Sequence, residues 1–204
     1  GCGPGAAPLP VRYARLESLE ETPVVDPPVP AMEPVFDRYQ IEITRGCCGG
    51  CRFCHAGIVY RPIRHRPPGQ VLVAAVGGIL RTGHGALSLS SLSPADYPCL
   101  EPLALALKDF LVRDKIVLSV SSLRSYGVSE RVLEAIASVK ATGITLAPEA
   151  GTQRLRDVLG KRVTDEDLER SMERLARLGW QRVKLYFMMG LPQEREEDLD
   201  GIID

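Results

Sequence analysis

The sequence of 204 residues has no long hydrophobic run, no excess of charge of either sign and few cysteines outside one cluster. Its longest apolar stretch, VLVAAVGGIL, has about ten residues, half of what a membrane-spanning helix needs. No charged and then apolar signal peptide opens the chain, so we expect a cytoplasmic protein without a membrane partner. The 25 basic and 26 acidic side chains nearly cancel, which gives no general electrostatic reason to expect a nucleic acid partner.

Proline is unevenly distributed, since eight of the sixteen prolines lie within the first 34 residues. Residues 1–36 show no sustained hydrophobic period, which predicts a linker or an interdomain segment that wraps another surface. Residues 37–204 are predicted to form one core domain, and the final EEDLDGIID has the pattern of a helix that is cut short. We therefore expect a fragment of a longer protein, truncated at its C-terminus.

Residues 37–204 alternate between the hydrophobic periods of strands and helices. The predicted strands are RYQIEIT, ALSLSSLS, KIVLSVSS, GITLAPEAG and RVKLYFMMG, and the predicted helices are GQVLVAAVGGILRT, CLEPLALALKDFLV, SERVLEAIASVK and TDEDLERSMERLARLG, with a further helix beginning at the C-terminus. This alternation predicts an α/β fold with a parallel sheet of about five strand-helix units. Polar strand ends such as TRGCCGGC, SSLSPAD, APEAGT and MMGLPQE would gather on one edge, where α/β proteins place their sites.

Four of the six cysteines lie within the eight positions from Cys47 to Cys54, directly after the first predicted strand. In a reducing cytosol, clustered thiols are more often metal ligands than disulfides. Two ligand sets are open, because either Cys47 or Cys48 can join Cys51 and Cys54, and each set has only three regularly spaced thiols. Structural zinc and ferredoxin clusters normally take four protein ligands. The fourth ligand would be a remote cysteine, the neighbouring histidine or a group that is not protein, and an iron-sulfur site with one open iron fits best.

Four motifs in order resemble those of radical S-adenosylmethionine enzymes. The stretch EITRGCCGGCRFCHAGIVYRPIR has the three-then-two cysteine spacing with an aromatic residue, Phe53, before the last cysteine, where it would cover the site with an apolar ring. LSLSSLSPADY, LAPEAGTQRLRDVLGK and VKLYFMMGLPQEREEDL follow it. Together they look like an uncharacterised bacterial family of this superfamily, in which a cobalamin-binding-like domain commonly precedes the radical domain. The resemblance extends from about Asp37 to the end of the chain.

The resemblance implies a partial TIM-type (β/α)6 barrel, incomplete here, with a 4Fe-4S cluster held by Cys47, Cys51 and Cys54. The open iron would bind the amino and carboxylate groups of S-adenosylmethionine. One-electron reduction would then cleave the sulfonium to methionine and a 5′-deoxyadenosyl radical, which abstracts hydrogen from an unknown substrate. An electron donor such as flavodoxin or ferredoxin is implied as a partner, and cobalamin through a domain outside this chain.

The resemblance also implies that residues at the other strand ends contact S-adenosylmethionine. Ser91 and Ser93 lie where many relatives carry Gly-Gly-Glu for the methionine amino group, although hydroxyls supply no countercharge. Glu149 matches an acidic residue that contacts the ribose, and its alternative role is to cap the following helix. Met189 and Gly190 match a segment that approaches adenine.

Several alternatives stay open on the sequence alone. The cysteines could belong to a non-catalytic iron-sulfur electron carrier or to a structural zinc module. Arg154 and Arg156 are both candidates for the cofactor carboxylate, because helix spacing does not choose between them. The basic segment YRPIRHR is interpreted as a solvated loop or as a site that steers an anionic substrate such as RNA.

Overall fold

The computed structural model describes residues 14–32, 34–121, 128–140 and 143–203. The strands in this part are β1 (Tyr39–Glu42), β2 (Thr44–Arg45), β3 (Arg64–His65), β4 (Ala86–Ser90), β5 (Val117–Val120), β6 (Ile144–Glu149) and β7 (Val183–Phe187). The helices are α1 (Ala56–Val59), α2 (Pro68–Thr82), α3 (Leu100–Arg113), α4 (Glu130–Ala137), α5 (Gln153–Leu159), α6 (Asp165–Arg177) and α7 (Glu196–Asp200). None of these helices combines the length and apolar character that crossing a bilayer requires.

The five strands predicted from the sequence are present and parallel. β4 lies between β1 and β5 in one sheet, and β6 pairs with β7 in a second sheet. The predicted α/β class with a parallel sheet is therefore confirmed. Within the described residues no ladder joins the two sheets, so a closed barrel is not formed there. The predicted end of the β5 strand at Ser122 lies outside the described residues.

One hydrophobic core nevertheless connects both sheets to the helices. Successive strand residues point to opposite faces, so Leu87 and Leu89 of β4 are fully buried against the helices while Ser88 between them faces the other way. The same core cluster contains Leu118 of β5 and Leu146 of β6. Burying each such side chain stabilises the fold by roughly 1.5–3 kcal/mol. The parallel sheets are thus held together from their helix-covered side.

The first predicted strand, RYQIEIT, is interrupted at Ile43. The Ile43 N–H donates to the carbonyl of Ser90 in β4 at 2.9 Å, but the Ile43 carbonyl accepts from the N–H of Arg66 at 2.8 Å. The chain therefore changes partners at this residue, and β2 pairs antiparallel with β3. Sequence periodicity did not predict this small two-stranded ladder, nor the helix α1.

Residues 14–32 form an N-terminal strap that lies against the outside of the domain. Leu19 is fully buried, and Nη1 of Arg66 donates to the carbonyl oxygens of Leu19 and Thr22 at 3.1 and 2.5 Å. The Leu19 carbonyl also accepts from the N–H of Thr22 at 3.3 Å, so the guanidinium adds a second donor to a turn of the strap. The strap is held by side-chain donors rather than by a ladder.

Arg64 also holds the strap, at Leu16. Its Nη1 donates to the carbonyl of Leu16 at 2.8 Å, and its Nη2 donates to the carbonyl of Tyr60 at 2.8 Å. Arg64 and Arg66 are only 8% and 4% exposed. The expectation of a solvated loop over YRPIRHR is therefore wrong for these two side chains, because their donors bond to backbone carbonyls.

A tyrosine-carboxylate contact gives the strap a pH dependence. The Tyr39 hydroxyl donates to Oδ1 of Asp26 at 2.6 Å, and burial followed by this hydrogen bond raises the pKa of Tyr39 to about 12. A group whose pKa is higher in the folded state stabilises the fold below its unfolded pKa, here about 10, and loses that contribution as pH rises through the folded value. We expect the free energy of unfolding, measured by urea denaturation, to fall between about pH 10 and pH 12.

The variant Tyr39→Phe isolates this contribution. It should lose part of the alkaline slope and keep the part due to Tyr97, whose pKa burial also raises to about 12. An unchanged slope in Tyr39→Phe would show that the strap contact does not titrate in this range.

Candidate functional site

The cysteine loop, residues 46–54, begins at a glycine. Any other residue at this position would displace the neighbouring backbone. Gly46 has a φ of +91°, in the region that favours glycine. A Cβ at this position would lie 2.5 Å from the carbonyl oxygen of Tyr60 and 2.9 Å from that of Pro62. Both contacts are with backbone, which cannot move aside cheaply. Gly46 thus fixes where the loop that carries the thiols begins.

The three predicted metal ligands are reduced cysteines that differ in exposure. Cys47 is buried, and its sulfur accepts the backbone N–H of Gly49 at 3.3 Å, whereas Cys51 and Cys54 are half-buried. Cysteine binds metals in its thiolate form. The Cys54 N–H donates to the Cys51 carbonyl at 3.0 Å, which forms a tight turn between these two thiols.

The donor chemistry of this loop fits a soft metal centre, because cysteine thiolates are the ligands of iron-sulfur clusters and zinc. No group of three or more Cys, His, Asp or Glu side chains within the described ranges stands close enough together to hold one metal ion. The segment from Cys47 to Cys54 contains no helix or strand. The three thiols are therefore carried by irregular backbone and not by a helix or a strand.

Cys48 contacts a different part of the site. It is exposed, and its Sγ donates to Oδ2 of Asp96 at 3.1 Å. Asp96 lies in a single turn of 3-10 helix, Pro94–Asp96, which follows the SSLS end of β4. A ligand set that uses Cys48 in place of Cys47 would break this connection between two strand ends.

Arg52 docks the cysteine loop onto the C-terminus of α5. Its N–H donates to the carbonyl of Leu159 at 2.8 Å, and its Nη1 donates to the carbonyl of Val158 at 2.7 Å. The last carbonyls of a helix have no partner within the helix, so these bonds satisfy them. Gly160 follows with a φ of +67°, and a Cβ there would lie 3.1 Å from the carbonyl oxygen of Gly50. The motif LAPEAGTQRLRDVLGK therefore packs directly against the cysteines.

Glu149 ends β6 in an unusual conformation for a residue with a side chain. Its φ is +75°, and a non-glycine residue in this region is strained, which occurs most often at functional sites. Its Oε1 accepts from Nζ of Lys161 at 2.8 Å, with both side chains mostly buried. The cap of α5 is Thr152, whose hydroxyl accepts from the N–H of Leu155 at 3.3 Å. The capping alternative for Glu149 is therefore wrong, and its contact with ribose stays a prediction.

The two serines of the SSLS segment are placed differently. The hydroxyl of Ser91 accepts from the N–H of Ser93 at 3.1 Å, and the Ser91 N–H donates to the hydroxyl of Ser121 at 3.0 Å. Ser93 is 1% exposed, and its hydroxyl has no hydrogen-bond partner within the part of the chain that the structure describes. Ser91 borders a cavity, whereas Ser93 lies beneath the turn.

The residues predicted to cover the cofactor lie on the surface. Met189 is 78% exposed and Phe53 is 40% exposed. Gly190 has a φ of +80°, and its N–H donates to Oε1 of Glu194 at 2.9 Å. Glu194 also accepts from the N–H of Leu191 at 3.2 Å, so it organises the turn after β7. The predicted roles of Phe53, Met189 and Gly190 toward S-adenosylmethionine stay predictions.

Arg154 and Arg156, the two candidates for binding the cofactor carboxylate, have different surroundings. Arg156 is 1% exposed, and it donates to the carbonyls of Ala150 and Val163 at 3.0 Å each and to the carboxylate of Asp165. Its guanidinium is therefore closed to solvent and is held by acceptors at the end of β6 and after α5. Arg154 is more exposed and pairs with the buried carboxylate of Asp198.

A cavity of about 440 Å³ lies at the carboxyl ends of β1 and β4, beside the start of the cysteine loop. Its lining includes Glu42, Arg45, Gly46, Tyr60 and Ser91. Glu42 and Arg45 form a bidentate ion pair, with Nε to Oε1 at 2.8 Å and Nη2 to Oε2 at 2.6 Å. The hydrogen bond to Glu42 raises the pKa of Arg45. Sequence analysis missed this pair, although both residues stand within the motif EITRGC.

Fold and site together define an α/β protein with a thiol-rich loop at the carboxyl edge of a parallel sheet. The family model of the radical SAM superfamily matches residues 41–204. The chain belongs to this superfamily, whose members use a 4Fe-4S cluster and S-adenosylmethionine, as the four motifs predicted.

Two archaeal proteins have similar sequences. An uncharacterized protein of Methanocaldococcus jannaschii is 30% identical over 193 residues, which cover 94% of this chain and 41% of that protein. One from Methanopyrus kandleri is 29% identical over 164 residues, covering 74% of this chain and 31% of that protein. The chain thus spans less than half the length of these relatives.

Two solved structures share the fold. The cobalamin-dependent S-adenosylmethionine radical enzyme OxsB superimposes with a TM-score of 0.61 at 18% identity, over 79% of this chain and 25% of that chain. The radical S-adenosylmethionine methyltransferase TsrM from Kitasatospora setae, with tryptophan and a cofactor analogue bound, superimposes with a TM-score of 0.66 at 14% identity. The match covers 82% of this chain and 34% of that chain.

Proposed function

We propose that this chain is the core of a radical S-adenosylmethionine enzyme in which Cys47, Cys51 and Cys54 hold a 4Fe-4S cluster. The observation that carries the proposal is the placement of this trio on a loop without regular structure, at the carboxyl edge of a parallel sheet. When bound, the cluster and S-adenosylmethionine supply a 5′-deoxyadenosyl radical that abstracts hydrogen from a substrate. The chain itself must position the thiols and the cofactor.

The ligand loop is held at two points, one at its start and one further along. Gly46 sets one end through its contacts with the Tyr60 and Pro62 carbonyls, and Arg52 pins the middle to the C-terminus of α5. Between them, Gly49 and Gly50 leave the backbone free to bring Cys47 toward Cys51. Cluster binding would therefore order this loop, as metal binding commonly does when ligands are not gathered beforehand.

Glu149 is proposed to contact the ribose of S-adenosylmethionine from the neighbouring strand end. A carboxylate has several lone-pair sites, so the bond from Lys161 to Oε1 leaves acceptors for hydroxyl donors. The strained φ of Glu149 and the docking of its motif against the cysteine loop support this role. Phe53 would cover the cluster with an apolar ring, and Met189 and Gly190 would lie against the adenine. Ser91 would border the methionine moiety.

Anaerobic reconstitution tests the ligand assignment. Wild-type protein should bind about four iron and four sulfide per chain, as a 4Fe-4S centre requires. Alanine at Cys47, Cys51 or Cys54 should each reduce both contents to below about one per chain, because two thiolates do not retain the cluster. The measurement is iron and sulfide content per folded protein, with circular dichroism to confirm the fold.

The variants Cys48→Ala and Cys99→Ala serve as matched controls and should retain the wild-type content. Loss of the cluster in Cys48→Ala but not in Cys47→Ala would show that Cys48, and not Cys47, binds the cluster together with Cys51 and Cys54. Stoichiometric zinc without iron in protein purified without oxygen would favour the structural zinc module and overturn the proposal.

The proposal extends to cobalamin and to an electron donor. The structures of OxsB and TsrM contain cobalamin, and this chain covers only 25% and 34% of those chains, respectively. We propose that a domain outside this chain holds cobalamin, and that flavodoxin or ferredoxin reduces the cluster. Corrinoid analysis of the full-length protein tests the first point. RNA as a substrate stays a prediction.

A further inference from the structure

The side chain of Arg61 connects two parts of the chain that flank the predicted cluster ligands. Its Nη2 donates to the carbonyl of Gly49 at 3.2 Å, and its Nε donates to the carbonyl of Gly57 at 2.6 Å. Gly49 precedes Cys51 in the loop, whereas Gly57 lies in α1, after Cys54. One guanidinium therefore bridges the first half of the cysteine loop and the helix that follows its last thiol.

Gly49 extends this bridge to a predicted ligand. Its carbonyl accepts from Arg61, and its N–H donates to the sulfur of Cys47 at 3.3 Å. Arg61 thus acts on Cys47 through one residue that is hydrogen-bonded on both sides. A change at Arg61 would release the Gly49 carbonyl and with it the N–H that Cys47 accepts.

The bridge is short because Gly57 has no side chain. A Cβ at Gly57 would lie 3.3 Å from the carbonyl oxygen of Gly49, closer than an ordinary van der Waals contact. Residues 60–62 also close on the start of the loop, since their first and last carbonyl oxygens lie against Gly46. The segment that carries Arg61 therefore contacts the cysteine loop at its start and further along.

Arginine suits this position for two reasons. Its five N–H donors lie in one rigid plane, so a single side chain can hold two carbonyls at a set separation. It also carries a positive charge at neutral pH, next to a loop whose cysteines bind metals as thiolates. Arg61 is exposed, so water and salt weaken the field of this charge without removing it.

We infer that Arg61 is a positioning residue that holds Gly49 against the sulfur of Cys47 and raises the reduction potential of the cluster. This inference rests on the proposed function. Reduction adds one electron and breaks no bond, so the negative charge of the cluster and its thiolates increases by one. A nearby cation and an N–H donor to a ligand sulfur both stabilise the more negative state. Arg61 therefore makes the cluster easier for an electron donor such as flavodoxin or ferredoxin to reduce.

Two substitutions separate the charge of Arg61 from its rigid plane of donors. Arg61→Lys keeps the charge, and Arg61→Gln removes the charge but can still donate to a carbonyl. The cluster-loaded proteins would be titrated anaerobically by potentiometry, with the electron paramagnetic resonance signal of the reduced cluster as the readout. Arg61→Gln should lower the potential by about 59 mV, a tenfold loss in the equilibrium constant of a one-electron reduction. The potential of Arg61→Lys should lie between those of Arg61→Gln and the wild type.

Ionic strength provides a readout that a purely structural role would not move. Added salt screens an exposed charge, so the difference in potential between Arg61→Lys and Arg61→Gln should shrink from about 0.1 M to about 1 M salt. Arg113→Gln is the matched control, because Arg113 is exposed, lies in the last turn of α3 and pairs with Asp114. This variant should have the potential and the iron content of the wild type.

The outcomes distinguish failure of this inference from failure of the proposed function. A wild-type potential in cluster-loaded Arg61→Gln overturns the role of Arg61 alone, and so does an equal shift in both variants, because the charge would then contribute nothing. Loss of the cluster or of the folded circular dichroism spectrum in both variants also overturns it, because Arg61 would then be needed to build the site. A wild type that assembles no 4Fe-4S cluster overturns the proposed function.

Discussion

Replacing Gly46 with alanine should abolish assembly of the iron-sulfur centre. The new Cβ would lie 2.5 Å from the Tyr60 carbonyl oxygen, and the φ of +91° would cost a further 1–2 kcal/mol or so in strain. The backbone must move to relieve both, and the movement displaces Cys47, the next residue. We expect iron content after anaerobic reconstitution to fall from about four to below about one per chain.

The control for this prediction is Gly50→Ala in the same loop. A Cβ on Gly50 meets no heavy atom within 4 Å, and its φ is not among the positive values. This variant should keep most of the wild-type iron and sulfide. Full iron content in Gly46→Ala would show that the entry point of the loop does not determine where the thiols lie.

Replacing Arg156 with methionine should destabilise the domain by about 3–5 kcal/mol, the range for breaking a buried charged network. The guanidinium is 1% exposed and satisfies carbonyls on both sides of α5, at Ala150 and Val163. Methionine fills similar space but leaves these acceptors without donors. Because Ala150 follows Glu149, the strand end beside the cysteine loop should also loosen. Urea denaturation measures the change in the free energy of unfolding.

Arg170→Met is the comparison for this variant. Arg170 pairs with Asp167 on the exposed face of α6, so its loss should change stability by no more than about 0.5 kcal/mol. Equal destabilisation by both substitutions would mean that the buried hydrogen bonds of Arg156 stabilise the domain no more than an exposed ion pair does.

The regular elements of the fold were predictable because their signals are local. Ser129 accepts from the Val132 N–H at the start of α4, and Thr164 with Asp167 forms a capping box at the start of α6. Both caps stand in the sequence beside strongly periodic segments. The parallel direction of neighbouring strands could be predicted because the strands alternate with helices along the chain.

The contacts between distant segments could not be predicted in this way. Nothing in YRPIRHR indicates that Arg64 and Arg66 are buried, because the strap carbonyls that they bind, those of Leu16 and Leu19, lie more than forty residues away along the chain. The docking of Arg52 on Leu159 has the same character. The ion pair Glu42–Arg45 was different, because its three-residue spacing at the end of a strand is visible in the sequence, whereas the cavity that it lines is not.

The cysteine ligand set was predicted from spacing and from the resemblance, and not from any geometry of the folded chain. Three thiols on one loop leave a fourth iron of a 4Fe-4S cluster without a protein ligand. That open position distinguishes a radical enzyme from an electron carrier or a zinc module. It also has a spectroscopic consequence that neither alternative shares.

The most direct test is the electron paramagnetic resonance spectrum of the reduced, cluster-loaded protein before and after addition of S-adenosylmethionine. We predict that a saturating concentration changes the spectrum of the wild type, because the cofactor binds an iron that the chain leaves open. A spectrum that stays identical at saturation, in protein with full iron and sulfide content, would contradict the account.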